Sequence, residues 1–411
     1  MLARLESVCE NEDGWGHDWP LARRVLDFFP ISTRRCAMSV SRRRFLQNVA
    51  AGSTGAALAA VPGALDSPAQ TSAGAPEPVT VESYPIAEPG KGAVLDRVKI
   101  VTQEQIPESY RGKLRGLASG LDLQLCSSEA EFRREVADAH VIYGDFAPED
   151  LKAARQLKWI QYAAAGVEGI LGPELVESPV VLTNMARVYA PAISETAIGL
   201  LLALAHGINR YALQTREHLW QPLEGLTDVS GWTMGIVGLG GIGTETAYRA
   251  HYGFGMKIYA VDPKPLPKPA FVAELHSVEC LPLMVPEVDV LMSAAPHTKA
   301  SEGMFNESIF RAMKRTAYFI NVSRGKLVDT PALVRALKEG WIAGAGLDVA
   351  YKEPLPSDDP LWRAGNVIIT CHSSGHTPRT LERQMALFTE NVRRYANGLP
   401  LLNVVDKKRG Y

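Results

Sequence analysis

The sequence predicts an α/β protein that contains two parallel-sheet units, and three observations support this. From about residue 95 onward, short apolar runs alternate with helical stretches, as expected for strands joined by helices in a parallel sheet. A long apolar helical stretch over residues 191–215 interrupts this alternation, which resumes after Trp220. The second alternating part begins with an apolar run, a glycine-rich loop and another helical stretch, which is typical of a β-α-β unit.

Length and composition limit the classes of protein to which the chain can belong. A chain of 411 residues favours two domains plus extra segments over one compact core. Its content of 46% hydrophobic and 21% charged residues is ordinary for a soluble globular protein, and its net charge of -2 argues against general binding to nucleic acid. The cysteines are scattered and contain no CxxC pair, which excludes a disulfide framework or a zinc knuckle as the organising feature, and no metal is expected. They are Cys9, Cys36, Cys126, Cys280 and Cys371.

Residues 1–69 are predicted to form a leader that carries an export signal. The stretch SRRRFLQ resembles the twin-arginine consensus, with Arg42 and Arg43 as its paired arginines, and residues 45–65 carry no charge. Glycines and alanines make this apolar region too weakly hydrophobic for a stable membrane-spanning helix, so no membrane span is expected in the mature protein. Export to the periplasm is therefore expected, and the alternative is a cytoplasmic protein with an incidental basic tail.

The limits of this leader are less sharply marked. Met38 lies just before the motif and competes with Met1 as the first residue, and Ser67-Pro68-Ala69 offers a cleavage site. Residues 70–94 follow as a linker, because proline, alanine, serine and glutamate dominate them and cannot build a packed core.

Ordered structure is predicted to begin at DRVKIVT, where Val98, Ile100 and Val101 suit a buried first strand. Further strands are predicted in HVIYGDF, LKWIQYAAAG and VVLTN, with a helix in PEDLKAARQ between the first two. The stretch over 191–215 is predicted to be one long helix. Its apolar run from Ala197 to Ala205 is far too short to cross a bilayer, so a buried or interface helix is expected.

The most informative stretch is a GxGxxG loop, here called the glycine loop: Gly238, Leu239, Gly240, Gly241, Ile242 and Gly243. This loop follows a predicted strand over 234–237 and precedes a helix predicted to begin near Thr244. A second strand, KIYAV, ends just before Asp262, which lies 19 residues after the last glycine. Strand, glycine loop, helix, strand and acidic residue in this order predict a dinucleotide-binding site.

Each part of this pattern has a physical role. Gly238 makes the tight turn, Gly240 lets the backbone approach the pyrophosphate, and Gly243 allows the helix to pack closely on the strand. Free N–H groups at the helix N-terminus favour the phosphates. Asp262 is expected to accept hydrogen bonds from the adenosine ribose hydroxyls and to repel a 2′-phosphate. This favours NAD over NADP, although the nearby Lys264 weakens the preference.

Later segments place an arginine, a carboxylate and a histidine just after predicted strands. Arg324 follows a strand that ends at Asn321, Glu353 lies in LDVAYKEPLP, and His372 follows the apolar run NVIIT. Because ligands of open parallel sheets bind outside the carboxyl ends of the strands, these three side chains are expected to reach one ligand.

Several segments, taken in chain order, form a pattern shared with a known family. They are LKWIQYAAAGVEGI, the glycine loop, PHTKAS, INVSRGKLVDTPAL, GAGLDVAYKEP and TCHSSGHTP. Over residues 95–411 this pattern resembles the D-isomer-specific 2-hydroxyacid dehydrogenases. The resemblance implies two Rossmann-like domains, with an NAD-binding domain over 205–372 inserted into a split, flavodoxin-like substrate domain over 95–204 and 373–411. It also implies a homodimer formed through the helix that contains AIGLLLAL.

The resemblance further implies a role for individual residues. Arg324, in N-x-x-R-G-x-x-V-D, matches the arginine that holds the carboxylate and carbonyl oxygen of the substrate. His372 matches the proton donor or acceptor, and Glu353 matches the carboxylate that pairs with it. The loop Ala165-Gly166-Val167 is expected to present backbone N–H groups to the substrate carboxylate; the alternative is a simple strand-to-helix turn. The residues implied to line the nicotinamide side of the cofactor site are Val322, Ser323, Asp348 and Gly375. Pro296 is also implied to bind the cofactor.

Reduction of a 2-keto acid requires these types of residue. Hydride addition to the carbonyl carbon leaves a developing alkoxide, which a positioned imidazolium can protonate. A guanidinium fork matches a carboxylate with two parallel hydrogen bonds and stabilises charge on the neighbouring oxygen. Cys371 stands where the family usually has proline, and this departure removes no catalytic group.

The sequence therefore predicts an NAD-dependent 2-hydroxyacid dehydrogenase, or 2-keto-acid reductase, of the glyoxylate or hydroxypyruvate type. Its expected partner is a small 2-keto or 2-hydroxy acid. One alternative keeps the fold but oxidises phosphite or formate; Glu353 argues against the formate branch, which has glutamine there. Another is a non-catalytic NAD-sensing binding protein, which the intact set of Arg324, Glu353 and His372 disfavours. The twin-arginine route moves folded proteins, so the cofactor could travel in its site during export. Because the compartment outside offers little free dinucleotide, an exported enzyme is expected to retain its cofactor tightly.

Overall fold

The structure is a computed structural model that describes residues 97–411 of the chain. The predicted leader over 1–69 and the linker over 70–94 lie outside the described residues. Within the described part the chain forms two all-parallel β-sheets joined by helices, which confirms the predicted α/β class.

The first sheet has five strands in the spatial order β2-β1-β3-β4-β5. This is the strand order of flavodoxin-like folds, as the resemblance implies. The strands are β1 (Val98–Thr102), β2 (Leu121–Leu125), β3 (Val141–Tyr143), β4 (Trp159–Gln161) and β5 (Val181–Thr183). The helices between or after them are α1 (Glu108–Arg115), α2 (Glu129–Glu135), α3 (Pro148–Ala153) and α4 (Pro173–Glu177).

The second sheet has seven strands in the order β12-β11-β10-β9-β6-β7-β8. Counted from β6, this is the order of the Rossmann fold with one further strand at the β12 edge, and it reverses between β6 and β9, where such sheets bind their ligands. The strands are β6 (Thr233–Val237), β7 (Lys257–Val261), β8 (Glu274–His276), β9 (Val290–Ser293), β10 (Tyr318–Asn321), β11 (Gly344–Leu347) and β12 (Val367–Ile369).

The remaining helices accompany the second sheet or follow it. They are α5 (Ala190–Ala205), α6 (Ile208–Arg216), α7 (Gly241–Phe254), α8 (Leu281–Met284), α9 (Glu307–Ala312), α10 (Thr330–Lys338) and α11 (Pro378–Ala396). Short 3₁₀ turns occur at Val136–Asp138, Val278–Cys280, Val285–Glu287, Gly325–Leu327 and Pro360–Arg363.

Each sheet has its own apolar core. In the second sheet, Ile236 and Ile258 belong to one buried apolar cluster together with Leu201 and Leu204 of α5. In the first sheet, alternate residues of each strand point to opposite faces, and both faces are buried. These cores hold the strand ends, and the loops that follow them, in fixed positions.

Helix α11 brings the end of the chain back to the first sheet. Phe388 of α11 stacks on Tyr143 of β3 with ring centroids 4.0 Å apart, and Val404 forms an antiparallel bridge with Thr183 of β5. The second sheet is therefore inserted between two parts of the chain that share one core, as the resemblance implies. The exact residue limits of the two domains stay predictions.

The prediction of one long helix over 191–215 is wrong. Gly207 has φ 62, a left-handed conformation that ends α5, and α6 starts at the next residue at an angle of 70° to it. Glycine adopts this conformation without steric cost. The apolar periodicity of the sequence continues across Gly207 although the backbone turns there, so the periodicity does not reveal the break. No helix within residues 97–411 is by itself long and apolar enough to cross a bilayer, and α5 and α6 meet that test only as this bent pair, by length and composition.

Candidate active site

Loops at the carboxyl ends of β6, β7, β9, β10, β11 and β12 carry most of the residues that the sequence singles out. The strands are parallel, so these loops meet at one edge of the second sheet. The loop that contains Gly166 follows β4 of the first sheet and faces the same region, because its backbone lies against the side chain of Arg324.

The glycine loop turns sharply between β6 and α7. Gly238 has φ 93, and a Cβ atom at Gly243 would lie 2.1 Å from the carbonyl oxygen of Gly238, so both positions require glycine. A Cβ atom at Gly240 would meet no atom within 4 Å, which leaves open space over the loop. Helix α7 begins at Gly241, earlier than the predicted Thr244, so its first N–H groups belong to the glycine loop itself. This cradle fits a pyrophosphate.

Asp262 follows β7 and is held by the backbone on both sides. Its Oδ2 accepts a hydrogen bond of 2.8 Å from the N–H of Leu239, and its Oδ1 accepts one of 2.8 Å from the N–H of Lys264. The ammonium of Lys264 lies 4.1 Å from the centre of the Tyr411 ring, and burial is the main cause that lowers the pKa of Lys264. The carboxylate is therefore fixed beside the glycine loop, while the lysine is directed to an aromatic ring.

His372 and Glu353 form a pair at the ends of β12 and β11. The Nδ1 atom of His372 lies 2.7 Å from Oε2 of Glu353, whose Oε1 accepts a hydrogen bond of 2.9 Å from the N–H of Ala350. Within residues 97–411, Nε2 of His372 makes no hydrogen bond, and the ring is about half exposed. One ring nitrogen is thus held in place and the other is available to a ligand.

Asp348 supports the loop that carries His372. Its carboxylate is almost fully buried and accepts hydrogen bonds from the N–H groups of Ser373 and Ser374, both at 3.2 Å, and from the hydroxyls of Thr370 and Ser374. Its carbonyl oxygen accepts a bond of 2.7 Å from the N–H of His372. The resemblance assigns Asp348 to the cofactor site, and in this structure both of its carboxylate oxygens bind the histidine loop.

Arg324, which follows β10 of the second sheet, contacts the loop that follows β4 of the first sheet. Its Nη1 donates a hydrogen bond of 2.8 Å to the carbonyl oxygen of Ser323, and its Nε donates one to Oε1 of Glu168. A Cβ atom at Gly166 would lie 1.8 Å from Nη2 of Arg324, so the guanidinium approaches the backbone of the loop Ala165-Gly166-Val167 directly. The structure thus brings together the arginine and the loop that the sequence assigns to one substrate carboxylate.

Glu168 was missed by sequence reasoning. Burial alone would raise the pKa of Glu168, but the charge of Arg324 and the hydrogen bond from it outweigh burial and lower that pKa below its ordinary value. The available signal was its position two residues after Gly166, on a loop already assigned to the site. Its partner is 156 residues away in the chain, so the contact itself has no local signal.

The other residues assigned to the cofactor site are placed less directly. Val322 and Ser323 are buried, and the hydroxyl of Ser323 lies 2.7 Å from that of Ser293 in the neighbouring strand. Gly375 is buried, and a Cβ atom there would lie 2.8 Å from the ring of Tyr189. Pro296 is exposed after β9. The side chains of Val322 and Ser323 therefore support the end of β10 from within the protein.

Cys371 lies beside His372 with a free, exposed thiol. Its Sγ is 3.7 Å from the hydroxyl of Ser373. The next residue, His372, has φ 54, a left-handed conformation that histidine adopts more readily than most residues other than glycine. The structure thus places an exposed thiol one residue before His372.

Comparison with known proteins relates this site to a described family. Residues 198–374 match the family model of the D-isomer specific 2-hydroxyacid dehydrogenase NAD binding domain. A glyoxylate reductase from Thermococcus kodakarensis is 35% identical over 331 residues, which cover 76% of this chain and 97% of that protein. A glyoxylate reductase from Korarchaeum cryptofilum is 38% identical over 267 residues, which cover 63% of this chain and 79% of that protein.

Solved structures show the same architecture. A D-isomer specific 2-hydroxyacid dehydrogenase family protein from Aeromonas salmonicida has a TM-score of 0.67 at 29% identity, covering 76% of this chain and all of that one. The NADPH-dependent glyoxylate/hydroxypyruvate reductase from Sinorhizobium meliloti, in complex with NADP and sulfate, has a TM-score of 0.65 at 25% identity. The match covers 77% of this chain and all of the reductase chain.

Proposed function

The chain belongs to the D-isomer specific 2-hydroxyacid dehydrogenase family, and from this premise we propose that it reduces glyoxylate or hydroxypyruvate with NADH. It is an oxidoreductase of the CH–OH group with an NAD(P)-binding domain. The observation that carries the proposal is the convergence of Arg324, Glu353 and His372 at neighbouring strand ends of the sheet that bears the glycine loop. The relatives named as glyoxylate reductases support the choice of substrate.

In the proposed reaction, each side chain has one task. Arg324 and the N–H groups of the loop Ala165-Gly166-Val167 bind the carboxylate of the keto acid, and the guanidinium stabilises charge on the adjacent oxygen. His372 gives its Nε2 proton to the carbonyl oxygen, while Glu353 fixes the ring through Nδ1 and stabilises the imidazolium. When bound, the nicotinamide cofactor supplies the hydride.

We propose that the cofactor is NAD, with NADP used less well. The glycine loop would hold the pyrophosphate, and Asp262 would bind the ribose hydroxyls and repel a 2′-phosphate. Support comes from the fixed carboxylate of Asp262 and from the direction of the Lys264 ammonium, which lies over the ring of Tyr411. Val322, Ser323, Asp348, Pro296 and Gly375 would surround the nicotinamide end.

The experiment that tests this function is a panel of 2-keto acids. Purified protein is mixed with NADH or NADPH and with glyoxylate, hydroxypyruvate or pyruvate, and nucleotide oxidation is followed by absorbance. Turnover with glyoxylate or hydroxypyruvate, and a higher kcat/KM for NADH than for NADPH, are expected. Absence of any turnover above that of a His372→Ala variant would refute the proposal. Oxidation of phosphite or formate with NAD would favour the alternative activity, and nucleotide binding without any turnover would favour a sensing protein.

We propose that the protein is a homodimer assembled through α5. A groove between α5 and α7 is lined by apolar side chains that include Ile198, Leu202 and Phe254, and it holds no described residue of the chain. Tyr252, which also lines the groove, is 63% exposed. A contiguous exposed apolar surface of this kind is typical of an interaction site.

A Tyr252→Glu variant is expected to dissociate at least about tenfold more readily than the wild-type dimer, because Tyr252 lines the groove and loss of an aromatic residue central to an interface typically costs about 2 kcal/mol or more. The measurement is sedimentation equilibrium over a range of protein concentrations. Leu283→Glu is the matched control, since Leu283 is 69% exposed on α8 and does not line the groove. If both variants and the wild type have the same dimer dissociation constant, the proposed interface is contradicted.

We also propose export by the twin-arginine route, on the strength of SRRRFLQ and the uncharged stretch after it. A double Arg42→Lys, Arg43→Lys variant keeps the charge and removes the paired arginines, so it is expected to remain in the cytoplasm at full length. Cell fractionation with detection of the mature chain checks this. Wild-type protein found only in the cytosol at full length would overturn the proposal of export. That result would leave the enzymatic proposal unaffected.

A further inference from the structure

One edge of the Arg324 guanidinium, the edge that faces the first sheet, is bound by a carboxylate of the protein itself, that of Glu168. Nε donates a hydrogen bond to Oε1 of Glu168, and Nη1 donates one to the carbonyl oxygen of Ser323. A Cβ atom at Gly166 would lie 1.8 Å from Nη2 of Arg324 and 2.6 Å from Oε2 of Glu168. Both groups therefore lie together against the backbone of Gly166.

This is the edge that a substrate carboxylate requires. A guanidinium binds a carboxylate best through two parallel N–H donors on one edge. The function proposed above places the substrate carboxylate between Arg324 and the backbone of the loop Ala165-Gly166-Val167. Glu168 presents the same chemical group, an ionised carboxylate, to the Nε donor of the same guanidinium and beside the same loop. Two carboxylates on one edge of a guanidinium repel each other, so they exclude each other there.

We propose that Glu168 is an internal ligand of Arg324 that competes with the carboxylate of the substrate and thereby sets the affinity for the 2-keto acid. This inference rests on the proposed function. Substrate binding then exchanges one ion pair for another, and Glu168 must turn away from Arg324 toward solvent. Its loop allows this exchange, because Glu168 and Gly169 are both exposed.

A purely positioning role for Glu168 makes the opposite prediction. If the carboxylate only held the guanidinium in its productive orientation, removing its charge would loosen Arg324, raise KM and lower kcat. If it competes, removing its charge frees the donors, and KM falls while kcat is retained. Glutamine is the informative replacement, because it keeps the length of the side chain and an acceptor oxygen and removes only the charge.

The expected size of the effect follows from exposure. The side chains of Arg324 and Glu168 are 32% and 36% exposed, so their pair belongs with partly solvated ion pairs of modest strength. Loss of such a competitor is expected to tighten substrate binding by about two- to fivefold. The matched control is Glu302→Gln. Oε2 of Glu302 lies 3.5 Å from Nε2 of His297, and the Glu302 side chain is 61% exposed. This change removes one negative charge without removing a hydrogen-bond partner of Arg324, whose partners are Glu168 and Ser323.

The test compares the wild type, Glu168→Gln and Glu302→Gln. KM and kcat for glyoxylate are measured with NADH, and the Kd of glyoxylate is measured by calorimetry with NAD⁺ present, which provides no hydride. A fall in KM and Kd by about two- to fivefold in Glu168→Gln alone, with kcat retained, supports the inference. Unchanged or raised values in Glu168→Gln, or equal falls in both variants, overturn it. Absence of wild-type turnover and binding overturns the proposed function as well, so the two failures are distinguishable.

Discussion

Replacing His372 by glutamine is expected to lower kcat for glyoxylate reduction by about 10²- to 10⁴-fold, the usual effect of losing a general acid. The Nδ1 atom of His372 is held by Glu353 at 2.7 Å, so Nε2 is the atom that can protonate the substrate oxygen. Glutamine is polar and of similar reach, but its amide does not give up a proton at neutral pH. KM is expected to change little. Initial rates of NADH oxidation at saturating glyoxylate measure the effect.

His376→Gln is the matched control for this variant. His376 is also exposed and lies four residues further along the chain, where its N–H bonds the carbonyl oxygen of Ser373 at 2.9 Å. Its replacement is a surface change and is expected to alter kcat by less than about twofold. If His372→Gln kept more than about a tenth of the wild-type kcat, protonation by another group would have to be sought.

Replacing Arg324 by glutamine is expected to lower kcat/KM by about 10²- to 10³-fold, equivalent to about 3 kcal/mol of transition-state stabilisation. In the proposed reaction, the guanidinium would bind the carboxylate of the substrate and would also stabilise the charge that develops on the neighbouring oxygen. Lysine is not expected to restore the activity, because an ammonium is a point charge and lacks the planar fork. Steady-state kinetics over a range of glyoxylate concentrations separate the effects on KM and kcat.

Free guanidinium added to an Arg324→Ala variant provides a second readout of the same residue. Partial recovery of kcat/KM is expected, because the cation can enter the space left between Ser323 and the loop Ala165-Gly166-Val167. Arg379→Gln, at an exposed position near the start of α11, is the control and should keep wild-type kinetics. A kcat/KM for Arg324→Gln close to that of the control would show that another cation binds the substrate.

The architecture was predictable because its signals are local. The apolar runs, the glycine loop and the acidic residue after β7 each lie in one continuous stretch, and parallel-sheet topology then determines where the strand ends meet. The pairing of His372 with Glu353 followed from the resemblance and from their positions after neighbouring strands, and the structure brings their side chains to 2.7 Å.

The features that escaped prediction depend on backbone conformation or on distant contacts. The break at Gly207 requires a positive φ, which apolar periodicity does not record. The ion pair of Glu168 with Arg324 joins the two sheets, and the carboxylate of Asp348 holds the loop over 370–374. Each of these contacts forms only when separate strands have been brought together, so no short stretch of sequence contains it.

Cys371 offers a handle for site-specific labelling. Among the cysteines of the described part of the chain, Cys126 and Cys280 are each 7% exposed, whereas the Cys371 thiol is exposed and one residue from His372. Within residues 97–411, a maleimide-linked fluorophore should therefore attach to Cys371 before Cys126. Cys9 and Cys36, which lie outside the described residues, would be replaced by serine for this purpose. Emission from such a label would follow keto-acid binding in real time, even in variants that no longer turn over.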